Sequence, residues 1–65
     1  MIQYSNSQIR DVIAEWVHSE RDRRILCYRL IDGYTFERIA ELEDMSDKQI
    51  KRIVHKQEEQ LFKHL

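Results

Sequence analysis

Apolar residues recur along this chain at intervals of three and four, in four runs separated by short polar breaks. That period belongs to helices with one buried stripe rather than to strands, whose faces alternate every second residue. The first run, Ile9, Val12, Ile13, Trp16 and Val17, predicts a helix over roughly Ser7 to His18 with Trp16 as its main core anchor. The second, Ile25, Leu26, Tyr28 and Leu30, predicts a helix over roughly Glu20 to Ile31 that stops at Asp32-Gly33, where glycine can take the left-handed conformation. The third, Phe36, Ile39, Ala40 and Leu42, spans Thr35 to about Glu43, and the small Ala40 allows a following helix to cross close by. The fourth runs from Ser46 to Leu65, with Ile50, Ile53, Val54, Gln57 and Leu61 on one arc.

Start signals fall at the matching places. Ser5 with Gln8, Ser19 with Asp22, and Ser46 with Gln49 each put a hydroxyl three residues before a group able to reach back to the cap. Thr35, with Glu37 in the following turn, can open the third helix. The expected fold is all-α: four short helices in a single domain over residues 1–65, with no repeats, linker or low-complexity segment.

Composition narrows the reading further. A chain of 65 residues buries only about 60% of its unfolded surface, which leaves no room for a second core. It has no proline, one glycine, 42% hydrophobic and 35% charged residues, as suits amphipathic helices. The formal net charge of −1 excludes binding of nucleic acid by bulk basicity, so any such binding must come from charge segregated along the chain. Cys27 is the only cysteine and has no Cys/His partner at zinc-like spacing, which favours a buried thiol in a reducing compartment. No apolar stretch nears the roughly 20 residues of a membrane span, and the N-terminus lacks a basic region followed by an apolar run. A soluble, cytoplasmic protein without a membrane partner is expected.

Charge is segregated between the last two helices. Glu37 to Asp44 carries four acids against Arg38, whereas Ser46 to Gln57 carries Lys48, Lys51, Arg52 and Lys56 against Asp47 alone. Lys48, Arg52, His55 and Glu59 share the arc opposite the apolar one, flanked by Lys51 and Lys56. The fourth helix therefore pairs a docking side with a basic side richest in its first three turns.

The stretch from Arg21 to Ala40, RDRRILCYRLIDGYTFERIA, resembles the promoter-reading fourth region of bacterial sigma factors, whose pattern runs roughly RERxVLxLRYxxGxSYxEIA. Met45-Ser46 and Ile50-Lys51 match the positions that open that family's recognition helix, and Leu61 matches a late leucine. The resemblance covers about 45 residues, over roughly 20–65, and LuxR-type regulators share much of the same skeleton. Glu43 and Asp44 stand where the family usually has leucine and glycine, and Arg38 where it often has an acid. Asp44 tolerates the left-handed turn, while Glu43 is expected to remove an apolar contact between the two helices.

The resemblance implies a helix-turn-helix made by the third and fourth helices, in which the fourth lies in the major groove and its N-terminal residues meet base edges. Lys48, Lys51, Arg52 and His55 would then read bases. Arg52 leads, because a guanidinium can bond O6 and N7 of guanine together. Thr35, Arg38, Ser46 and Lys56 would hold phosphates. Arg21, Arg23 and Arg24 stay open between surface ion pairs with Glu20 and Asp22 and a DNA contact. Leu61, Phe62 and Leu65 either pack on the first helix near Trp16 or form a homodimer contact.

The expected function is that of a small sequence-specific DNA-binding transcription regulator of bacterial or phage origin, with double-stranded DNA as partner. Sigma activity in full needs a second region that 65 residues cannot contain. Two alternatives stand beside it: an interaction module contacting RNA polymerase or another regulator, and a dimeric repressor or phage DNA adaptor. Catalysis is not expected, since no phosphate-binding glycine loop and no nucleophile with a placed base occur. His18, His55 and His64 lie too far apart to suggest a metal set, and no cofactor is expected.

Overall fold

The computed structural model describes residues 4–64. Its order is α1 (Asn6–Trp16), α2 (Glu20–Leu30), α3 (Phe36–Glu43) and α4 (Asp47–Phe62), with no strand among the described residues. The fold is all-α. No helix among those residues is long and apolar enough to cross a membrane.

Each helix begins where a side chain can satisfy its free amides. Ser5 and Gln8 form a reciprocal capping box at α1, and Ser46 and Gln49 form another at α4. Thr35 Oγ1 accepts from the Arg38 amide at 3.1 Å to open α3. Ser19 accepts from the Asp22 amide at 3.3 Å, but the box is left half made. The Asp22 carboxylate turns instead to Gln57 Nε2, 3.1 Å away on α4.

Two left-handed residues end helices. Gly33, at φ +72°, closes α2, and the Tyr34 amide then bonds the Tyr28 carbonyl at 2.9 Å. Asp44, at φ 54° and ψ 49°, closes α3. The Met45 amide reaches the Ala40 carbonyl at 2.9 Å and the Asp44 amide reaches Glu41 at 3.4 Å, the paired bonds of a Schellman ending. Met45 packs on the core as that motif favours.

The interior is two adjoining apolar clusters. Ile25, Ile39, Ala40, Ile50 and Val54 form one, with Tyr28, Phe36, Met45 and Ile53 against it. Ile13, Val17, Leu26 and Leu61 form the other, with Ile9, Val12, Cys27 and Leu30 at its edge. Neighbouring residues of α2, Ile25 and Leu26, enter different clusters, so α2 stands between them. The long α4 bridges both, since Ile50 and Leu61 lie about 16 Å apart along its axis at 1.5 Å per residue.

Several expectations need correction. Trp16 is not the core anchor: it is 44% exposed, and its ring stacks on His64 with centroids 3.7 Å apart. Helix α1 stops at Trp16, and the extended Val17 turns inward in its place, 1% exposed, to pack with Leu26 and Leu61. Leu42, expected on the buried stripe of α3, is 44% exposed. Leu61 is buried beside Ile13, Val17 and Leu26, which withdraws it from any dimer contact. Phe62 remains exposed, and Leu65 lies outside the described residues.

Glu43 does not merely leave an apolar contact missing. Its carboxylate takes a two-pronged grip from Arg24 on α2, Nη2 to Oε1 at 2.8 Å and Nε to Oε2 at 3.0 Å. With its side chain only 7% exposed, Glu43 ties the end of α3 to α2.

Candidate nucleic-acid interface

Helix α4 is amphipathic in a way that decides what each side can meet. Ile50, Val54 and Leu61 are buried, whereas Lys48, Lys51, Arg52, His55 and Lys56 are all exposed. At about 100° per residue these five side chains lie within an arc of about 140° on the outward side. The structure thus brings together the four residues expected to read bases, with Lys56 at their flank.

Ion pairing leaves these cations free. The ion pairs among the described residues join Arg21 to Asp22, Arg24 to Glu43 and Arg38 to Glu41. None involves a cation of α4. Four cationic side chains share one exposed face with Asp47 as the only acid in the helix's first three turns, an arrangement that attracts a polyanion.

The arginine run that opens α2 serves the fold. Arg23 donates through Nε to the Val17 carbonyl and through Nη2 to the Ala14 carbonyl at 2.8 Å, satisfying the carbonyl end of α1. Arg24 holds Glu43, and its hydrogen bond lowers the Glu43 pKa from the usual carboxylate range while the partner's own is raised. Elsewhere burial pushes the Cys27 thiol up, away from the reactive thiolate.

The residues expected to hold phosphates differ in how free they are. Arg38 reaches Glu41 at a loose 3.5 Å on an exposed surface and can release it cheaply. Thr35 accepts from the Arg38 amide and keeps its hydroxyl proton to donate. The Ser46 hydroxyl accepts from the Gln49 amide and contacts Gln49 Oε1 at 3.2 Å, so it is engaged in its own cap. Lys56 is exposed.

Beside this face lies a shallow open groove of about 240 Å³ lined by Thr35, Phe36, Glu37, Asp47 and Lys51. Phe36 is the aromatic member of that lining. Arg29, at the end of α2, places its guanidinium carbon 4.2 Å from the Phe36 ring centre, and Lys51 Nζ stands 5.9 Å from the same centre. His55 lies tilted at 6.4 Å from that ring. Arg29 was not singled out by sequence reasoning. The available signal was Gly33, whose reversal brings the first residue of α3 back under the last turn of α2.

Among the described residues, no group of three or more His, Cys, Asp or Glu is placed to hold a metal ion. No protein-family model, no curated protein and no solved structure matches this chain.

Proposed function

We propose that this protein is a small sequence-specific DNA-binding transcription regulator, similar to an isolated promoter-reading region of a sigma factor. In this reading α3 and α4 act as a helix-turn-helix, α4 enters the major groove, and Lys48, Lys51, Arg52 and His55 face base edges. Thr35, Arg38 and Lys56 meet the phosphates. Such a regulator works in the cytoplasm of a bacterial cell, alone or beside RNA polymerase.

One observation carries the reading: the cations of α4 are exposed together and form no ion pair among the described residues, while the opposite side of the same helix is sealed into the core. A helix held firmly on one side and unneutralised on the other supports docking into a groove bordered by phosphates. The test is selection of bound duplexes from a randomised pool, with the native chain and with Arg52→Ala. An enriched motif that Arg52→Ala blurs at one base supports reading by α4, with about 1–3 kcal/mol of discrimination lost. A pool returned without enrichment overturns it.

A second reading rests on Leu42, exposed on α3 beside the acids Glu41 and Asp44. An exposed apolar side chain with acids close by in sequence suits a basic protein surface, so a contact with RNA polymerase or another regulator is the competing role for α3.

A further inference from the structure

We propose that Arg29 and Lys51 form a two-sided clamp on the phosphates of one DNA strand, built around the Phe36 ring, an inference that rests on the DNA-binding reading above. The clamp moves Lys51 from the base-facing set of that reading to the backbone and leaves Lys48, Arg52 and His55 at the base edges.

Both cations reach one point: 4.2 Å for the Arg29 guanidinium carbon and 5.9 Å for Lys51 Nζ, so the two charges stand no more than about 10 Å apart. They come from different helices. The ring attracts each through its negative face, but it does nothing to neutralise them. No carboxylate forms an ion pair with either among the described residues, whereas Arg21, Arg24 and Arg38 all have one. Two like charges on one neutral support repel, and an anion placed between or beside them removes that repulsion.

The hydrogen-bonding capacity fits. Arg29 gives one Nη1 hydrogen bond to the Tyr34 carbonyl at 3.0 Å, which fixes the guanidinium and leaves its remaining N–H groups free. Lys51 offers an ammonium. Thr35 lines the same groove with a hydroxyl proton to donate. Lys51 and Thr35 thus offer donors in the groove, and Arg29 offers its own at the Phe36 ring that lines it.

The groove also says what kind of anion is meant. Glu37 and Asp47 share its lining, and their charges oppose a small free anion. A polyanion overcomes this, because its other phosphates and groove edges meet Lys48, Arg52 and Lys56. The ligand is therefore duplex backbone, and the Lys51 ammonium leans toward α3 to meet it.

The test measures binding of the 65-residue chain to a mixed-sequence duplex and to a selected duplex over a range of salt, for the native chain, Arg29→Gln, Lys51→Gln and Arg29→Lys. Each neutral variant is expected to reduce the slope of log K against log salt by about 0.9, or about fivefold in affinity at 0.15 M salt, on both duplexes alike. Arg29→Lys should keep the slope, and thermal melts confirm that each variant is folded. Folded neutral variants with unchanged slopes overturn the clamp while leaving DNA binding intact. So does a Lys51→Gln variant that changes preference at one base without changing the slope. A native chain that binds no duplex at low salt overturns the DNA-binding reading itself, and the clamp with it.

Discussion

Replacing Leu61 by alanine tests whether the end of α4 belongs to the core or to a partner. Leu61 is 1% exposed and packs with Ile13, Val17 and Leu26, so it joins α4 to α1 and α2. The change deletes three carbons, worth about 2.4 kcal/mol in transfer free energy at roughly 0.8 per methylene. The unfilled space raises this to about 3 kcal/mol, within the usual 2–5 for such sites. A domain of 65 residues has about 3–10 kcal/mol in total, so a third or more of the stability disappears. The expected fall in Tm is about 12–24 °C, read by the helical circular dichroism signal with a urea titration alongside. Phe62→Ala is the control: the residue is 52% exposed and its loss should cost less than about 1 kcal/mol. A loss below about 1 kcal/mol for Leu61→Ala, or an equal loss for Phe62→Ala together with a concentration-dependent Tm, would refute the placement and put these residues in a dimer contact.

Three further outcomes follow from the local structure. Gly33→Ala puts a Cβ into open space but at φ +72°; a left-handed cost of about 1–2 kcal/mol, partly offset by a stiffer unfolded chain, should leave a net loss near 1 kcal/mol in urea unfolding. Glu43 has a lowered pKa in the folded chain because Arg24 bonds its carboxylate; its contribution is complete above about pH 4.3, the ordinary glutamate value, and is lost as pH falls through the lowered one. Glu43→Gln should accordingly lower Tm at pH 7 and flatten its fall in acid, and an unchanged acid profile would count against the pair. His64→Ala should alter Trp16 fluorescence, because the rings stack at 3.7 Å, while shifting Tm by only a few degrees.

Helix positions were legible because caps and apolar period agreed at each start. Ser5, Ser19, Thr35 and Ser46 are all N-caps, and short-range chemistry of that kind is written in adjacent residues. The helix ends were less legible. Val17 leaves α1 one residue after Trp16, a choice made by packing against Leu26 and Leu61 that lie far off in sequence. The same distance hid the Arg24–Glu43 bridge, 19 positions apart, and the Asp22–Gln57 bond, 35 apart. On α4 the exposed basic arc followed from the 100° turn alone, because the buried arc opposite it fixed the rotation. The Phe36 cluster did not, since it needed the reversal at Gly33 to bring Arg29 over the ring.

The measurement closest to the central claim is the salt dependence of binding between the native chain and a duplex of mixed sequence. Contacts from the basic face of α4 and its flanks predict a linear fall of log K with log salt, steep enough to correspond to several released counterions, and a shallower line when Lys48 and Arg52 are both neutralised. Absence of binding at low salt, or binding with no salt dependence, would contradict it and leave the surface around Leu42 as the working face.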